Sequence, residues 1–191
     1  LILYYAISFD LGLKQHQRQL LSFHSAAAAA NVSLDNVNGS TAVLLDADAA
    51  IADIELSGLD NIAADDFGGA TLTLARQTEP IADDVFAIEA NGVVSLSGSN
   101  VVIGGATVAT ITSNTGGTLV ITFATGSTDA NVESIMRQIS FANSADQPPA
   151  NVVVEYTFND KNAVDQGTGL NATATATVTV VIAPTNDAPS A

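Results

Sequence analysis

Val152, Val154, Tyr156 and Phe158 take every second position of one short stretch, and further on Thr173, Thr175, Thr177 and Thr179 alternate with Ala174, Ala176, Val178 and Val180. A period of two belongs to an extended strand, because successive side chains of a pleated backbone point to opposite sides. One face of each segment is core and the other is wet. Shorter apolar stretches punctuated by Gly, Asn, Asp and Ser read the same way. The predicted strands are Thr41 to Leu45, Ile51 to Ser57, Thr71 to Arg76, Val85 to Ile88, Val93 to Leu96, Val101 to Ile103, Val108 to Thr112, Leu119 to Phe123, Val152 to Phe158 and Ala172 to Ile182.

One stretch breaks this rhythm. Val132, Ile135, Met136 and Ile139 recur at helical spacing, Thr128 or Asp129 can cap the amino end, and Glu133 with Arg137 makes an i,i+4 pair on the exposed side. A helix near residues 130 to 138 is expected, its apolar stripe packed on a sheet edge or end. Many short strands and one helix define an all-β fold, a two-sheet sandwich spanning roughly residues 31 to 183.

The charge excludes several functions. Asp and Glu number 20 against 5 Lys and Arg, for a formal charge of -15. Phosphate recognition needs clustered cations, so no nucleic-acid partner is expected, and an anionic membrane surface is disfavoured for the same reason. So acidic a fold repels itself, and bound divalent ions would relieve that repulsion; a solvated surface that keeps the protein soluble is the competing reading. No cysteine is present, so disulfides and thiolate metal sites are ruled out. No apolar run approaches the roughly 20 residues of a membrane-spanning helix, and no membrane insertion is expected.

Residues 1 to 30 stand apart as an amino-terminal arm. Leu1, Leu3, Tyr5, Ile7, Phe9, Leu11 and Leu13 share one side of a period-two pattern, which predicts a strand with a fully apolar face that something must cover. Its cations, Lys14 and Arg18, follow the apolar stretch instead of preceding it, unlike a secretory signal. Ala26 to Ala30 read equally as a helical spacer or as placeholder residues. At the other end, residues 184 to 191 read as a linker between modules. Pro184 and Pro189 should hold the backbone extended and outside any sheet, while Asn186 and Asp187 offer oxygen donors side by side. Calcium takes six to eight oxygens, so such a linker would need further ligands from the loops of adjoining modules.

Several segments in order carry a family resemblance. They are Asp65-Asp66-Phe67-Gly68-Gly69-Ala70-Thr71-Leu72-Thr73-Leu74-Ala75-Arg76, Ala82-Asp83-Asp84-Val85-Phe86 and Val94 to Val102. Gly117 to Phe123, Ile135 to Ser144, Tyr156-Thr157-Phe158-Asn159-Asp160 and the closing Asn186-Asp187-Ala188-Pro189 follow. Over roughly residues 40 to 189 the sequence resembles the tandem cadherin-like repeat of very large secreted bacterial proteins, including RTX-type and VCBS-type adhesins. The resemblance implies a cadherin- or immunoglobulin-like, calcium-binding β-sandwich, exported by a type I system and working as a stalk or surface-coat module on the bacterial cell surface. Family members commonly carry Asp-Gly-Asp or Asp-Gly-Asn where this protein has Asp160-Lys161-Asn162. Residues 1 to 30 fall outside the resemblance.

Candidate calcium ligands follow from both lines of reading. Acidic residues cluster at Asp46, Asp48 and Asp53, at Asp60, Asp65 and Asp66, at Asp83 and Asp84, and at Asp160 with Asp165. In an extended Asp46-Ala47-Asp48 the two carboxylates point the same way and can converge on one cation. The resemblance favours Asp160, Asn186 and Asp187 as ligand or interface positions, with Asp46 and Asp48 next; ordinary solvated loop charge is the competing reading for each. Catalysis is not expected. His16 and His24 both lie in the arm, no nucleophile-elbow or phosphate-loop pattern occurs, and a carboxylate pair of glycosidase type lacks sugar platforms in a protein with no Trp and three Tyr.

Two working functions remain. One is a calcium-stiffened extracellular structural or adhesion module whose partners are neighbouring repeats. The other is a self-assembling fibre or surface-layer subunit, in which residues 1 to 13 add a strand to an identical subunit. A module that binds a cell-surface ligand or glycan is a third reading, though no platform for it is evident.

Overall fold

A computed structural model describes residues 31–36, 42–52, 66–161 and 173–184. The amino-terminal arm, Asp53, Asp60, Asp65, Asp165 and the closing Asn186-Asp187 lie outside these residues. The described residues form eleven strands and one helix: β1 (Asn31–Asn36), β2 (Val43–Leu44), β3 (Thr71–Arg76), β4 (Asp84–Ile88), β5 (Val94–Ser97), β6 (Asn100–Ile103), β7 (Ala106–Thr115), β8 (Thr118–Phe123), α1 (Asp129–Met136), β9 (Ile139–Asn143), β10 (Asn151–Asn159) and β11 (Thr173–Pro184).

The strands form two sheets in a sandwich-like arrangement. The larger runs in the order β1-β11-β10-β3-β8-β7-β6-β5 and the smaller in the order β2-β9-β4. Pairing is antiparallel except between β1 and β11, which run parallel at one edge of the large sheet. The hairpins β6-β7 and β7-β8 each close on two glycines, Gly104-Gly105 and Gly116-Gly117, all with positive φ, as the tightest two-residue turns demand.

Alternation decides what is inside. Along β10, Val152, Val154, Tyr156 and Phe158 are buried, while Val153, Glu155 and Thr157 are only half-buried. In the same way β3 buries Leu72 and Leu74, and β8 buries Leu119, Ile121 and Phe123. The small sheet answers with Phe86 and Ile88 from β4 and Ile139 and Phe141 from β9. Edge-on ring pairs, Phe67 with Phe158 at 6.0 Å and Phe86 with Phe141 at 5.4 Å, lock this core; such contacts are worth about 1 kcal/mol each beyond the area they bury.

Thr128 caps α1. Its hydroxyl accepts from the Asn131 N–H, and the Asn131 side chain accepts in return from the Thr128 N–H. Val132, Ile135 and Met136 are fully covered, as their spacing predicts. Ile139 is buried too, but as the first residue of β9 and not as part of the helix.

The structure corrects the sequence reading at several points. The strand expected at Thr41 to Leu45 contracts to β2, and neither Ile51 nor Ala52 is in a strand. β1 and β9 are strands that the sequence reading does not include. Pro184 ends β11 in register with Asn36, so it lies within the sheet it was expected to avoid. Proline is tolerated there because the terminal residue of a strand can do without a ladder N–H.

Candidate functional site

The acidic pair Asp46 and Asp48 sits just past β2, on a short turn and not on the extended segment its spacing suggested. The Asp48 N–H donates to Oδ1 of Asp46 at 3.2 Å, a self-bonded turn of the kind Asp favours. The turn, rather than strand geometry, brings the two carboxylates together. Asp46 is buried and Asp48 exposed.

Long-range bonds hold this turn in place. Before it, the Leu45 N–H donates to the Ile139 carbonyl at 3.0 Å, joining it to the start of β9. After it, Arg137 at the end of α1 donates from Nε to the Ala49 carbonyl at 2.8 Å, and the Ile51 N–H donates to Oε1 of Glu133 at 3.3 Å. Arg137 and Glu133 also pair with each other at 2.9 Å. The i,i+4 pair expected on the exposed side of the helix therefore clamps the acidic turn onto α1.

Burial pushes the Asp46 carboxyl up to about 6, and a side-chain hydrogen bond with the Asp48 carboxyl adds to the rise. The hydrogen bond from the Asp48 N–H opposes the rise, and the Arg137 charge does so to a lesser degree. The Tyr156 phenol on β10 is also raised, first by burial and then by the Asp46 charge. Tyr156 is 3% exposed, and its hydroxyl finds no hydrogen-bond partner among the described residues. The sequence marked Tyr156 as a core residue; nothing in its local pattern placed it near the Asp46 charge.

The other acidic candidates go elsewhere. Asp160 follows β10 and is fully buried. The next residue, Lys161, has φ of 51°, and its N–H donates to Oδ1 of Asn159 at 2.9 Å. Asp66 accepts at Oδ1 from the Gly68 N–H at 2.8 Å and the Gly126 N–H at 2.7 Å, which ties two loops together. Asp84 takes both teeth of the Arg76 guanidinium, at 2.8 and 2.9 Å, and a third bond from Nδ2 of Asn143. Those bonds make Asp84, noted in the sequence as part of an acidic cluster with Asp83, a structural anchor. Among the described residues no three acidic or histidine side chains converge on one point. Asp46 and Asp48 are the predicted ligands that come together, Asp160 does not form a group with them, and Asn186 and Asp187 lie outside the described residues.

What the geometry offers chemically is a two-carboxylate oxygen site, half in and half out of the core, on a rigidly held turn. Among the described residues no helix is long and apolar enough to cross a membrane. No family model, curated protein or solved structure matches the sequence.

Proposed function

We propose that this protein is a calcium-stabilised structural or adhesion module of an extracellular bacterial protein, joined to neighbouring modules of its own kind. The observation that carries the reading is the Asp46-Asp48 pair: two carboxylates drawn together on a pinned turn, one of them shielded from water, in a protein with a formal charge of -15. Like charges held in contact have a raised energy that a hard divalent cation relieves, and carboxylate oxygens are its natural ligands. The remaining ligands would come from backbone carbonyls, water, and loops or modules beyond the described residues. The sandwich suits the mechanical role, since a module without disulfides must draw its rigidity from its core and its ions. The extracellular setting and type I export rest on the family resemblance.

Calorimetric titration of the protein with calcium tests the reading, alongside melting curves with and without chelator. Binding at about 10⁻⁴ to 10⁻³ M, typical of extracellular modules, would stabilise the fold by about 1 kcal/mol per site at millimolar calcium. D46N and D48N should each weaken it. Zero stoichiometry together with identical melting curves would remove calcium from the account.

A further inference from the structure

The turn that leads from β4 into β5 is built around the side chain of Asn91. Asn91 is followed by Gly92, and both are exposed. Oδ1 of Asn91 accepts two backbone hydrogen bonds, from the Val93 N–H at 3.0 Å and the Val94 N–H at 2.8 Å. The Asn91 N–H closes the turn on the Val94 carbonyl at 3.2 Å. Gly92 has φ of 87°, and space is open around the position a Cβ would take.

Two N–H groups aimed at a single carbonyl oxygen form the donor set that stabilises negative charge when a nucleophile adds to that carbonyl. Here the carbonyl belongs to the carboxamide of Asn91. The nearest nucleophile in the sequence is the backbone nitrogen of Gly92, which has no side chain of its own and donates to no backbone carbonyl among the described residues. We propose that Asn91-Gly92 is a self-modification site, at which the folded turn promotes conversion of Asn91 to aspartate and isoaspartate. The Gly92 nitrogen gives its proton to solvent base and bonds to Cγ of Asn91, placing the developing charge on Oδ1 between the Val93 and Val94 donors. The Cγ–Nδ2 bond then breaks, and the nitrogen leaves as ammonia with a proton from solvent, closing a five-membered succinimide. Water opens that ring at either carbonyl. Cleavage of the new Cγ–N bond gives aspartate, and cleavage of the original peptide C–N bond gives isoaspartate. The net change is asparagine plus water to acid plus ammonia, with no oxidation or reduction.

The position matters because β5 is the outer strand of the eight-stranded sheet, and Val94, its first residue, is fully buried. The product puts a carboxylate at the entry to that strand. In the isoaspartyl form the backbone also gains a methylene between the Asn91 N–H and the Val94 carbonyl, which now close the turn.

The test is site-resolved peptide mapping by mass spectrometry of the full-length protein incubated in mildly alkaline buffer, folded or unfolded in urea. Mapping separates Asn91 from the other Asn-Gly pair, Asn38-Gly39. Conversion at Asn91 should run roughly tenfold or more faster in the folded protein, a conservative share of what a pair of oriented donors contributes to such a step. Equal or slower conversion in the folded protein would overturn the proposal, because the two hydrogen bonds would then be holding the side chain away from attack. V93P removes one donor. Folded V93P, checked by circular dichroism, should lose most of the acceleration, while V93P in urea should match the unfolded parent protein. Full acceleration retained in folded V93P would equally count against the donor assignment.

Discussion

Arg76, the last residue of β3, and Asp84, the first of β4, form a two-toothed ion pair that joins the eight-stranded sheet to the three-stranded one, with Nε to Oδ2 at 2.8 Å and Nη2 to Oδ1 at 2.9 Å. The Asp84 carboxylate is fully covered and the guanidinium largely so. Asn143, opposite Asp84 on β9, gives the same carboxylate a third bond at 2.8 Å. An ion pair this deep holds because both carboxylate oxygens accept hydrogen bonds; removing one partner strands a buried charge. Arg76→Ala should therefore cost about 3 to 5 kcal/mol in urea unfolding. A double-mutant cycle with Asp84→Asn should show strong coupling. Independent, additive losses would mean that the pair does not act as the link between the sheets.

Asp46 sets a pH dependence whose sign can be worked out. Its carboxyl titrates near 3.8 when free and at about 6 in the fold, so the native state holds a proton there that the unfolded state has released. The contribution is fully present below the free value and is lost as pH rises through the folded value. Without calcium, stability attributable to Asp46 should fall between about pH 4 and pH 6, and D46N should flatten that part of the profile. Calcium should bind more tightly as pH rises through the same window, releasing protons near pH 6, which calorimetry in buffers of different ionisation enthalpy would detect. Proton-independent binding would place the ion elsewhere.

Tyr156 presents the opposite case, a buried hydroxyl with no partner among the described residues. Leaving such a group unsatisfied costs about 1 to 3 kcal/mol, so Tyr156→Phe should leave stability unchanged or raise it by about 1 kcal/mol. A loss of stability in chemical denaturation would reveal a hydrogen bond to the hydroxyl.

Gly117 tolerates no side chain. It has φ of 77°, and a Cβ there would lie 2.0 Å from the Ile81 carbonyl oxygen, where the loop before β4 crosses the β7-β8 hairpin. Backbone strain adds to a clash with backbone atoms that cannot swing aside. Gly117→Ala should cost about 3 kcal/mol or more, measured by thermal unfolding, while Gly98→Ala, which has open space at a similar positive φ, should cost only about 1 to 2.

Lys161 is the described non-glycine residue with positive φ, at 51°. It is exposed, and its N–H already bonds to Asn159. Lys161→Gly should therefore stabilise the fold by about 1 kcal/mol through relief of the left-handed strain, less whatever the freer unfolded state takes back. A clear destabilisation would show that the lysine side chain makes a contact worth more than the strain.

Much of this fold was legible in the sequence because its longest strands carry their own periodicity. β3 matches its predicted limits, and β10 and β11 differ from theirs by two residues or fewer at either end, since alternating side chains report the faces of a strand without help from distant residues. The helix was legible through its cap and its buried Val132, Ile135 and Met136. β9 was not: Ile139 continues the helical spacing, and only the antiparallel register with β4, Ile88 to Ile139 and Phe86 to Phe141, turns it into a strand. β2 pairs with β9 over two residues, Val43 opposite Phe141 and Leu44 opposite Ser140, a length no local pattern marks.

The candidate site divides along the same line. The sequence by itself determined that acidic residues cluster, that Asp46 and Asp48 sit two apart and that no thiol chemistry is available. Which carboxylates become anchors and which remain a pair was decided by partners far away in sequence. Asp84 found Asn143 and Asp66 found Gly126, while the Asp46-Asp48 turn was pinned by Arg137 and Glu133 from α1. A local pattern encodes the direction a side chain takes from its own backbone, but burial and charge pairing depend on what the rest of the molecule brings to that point in space.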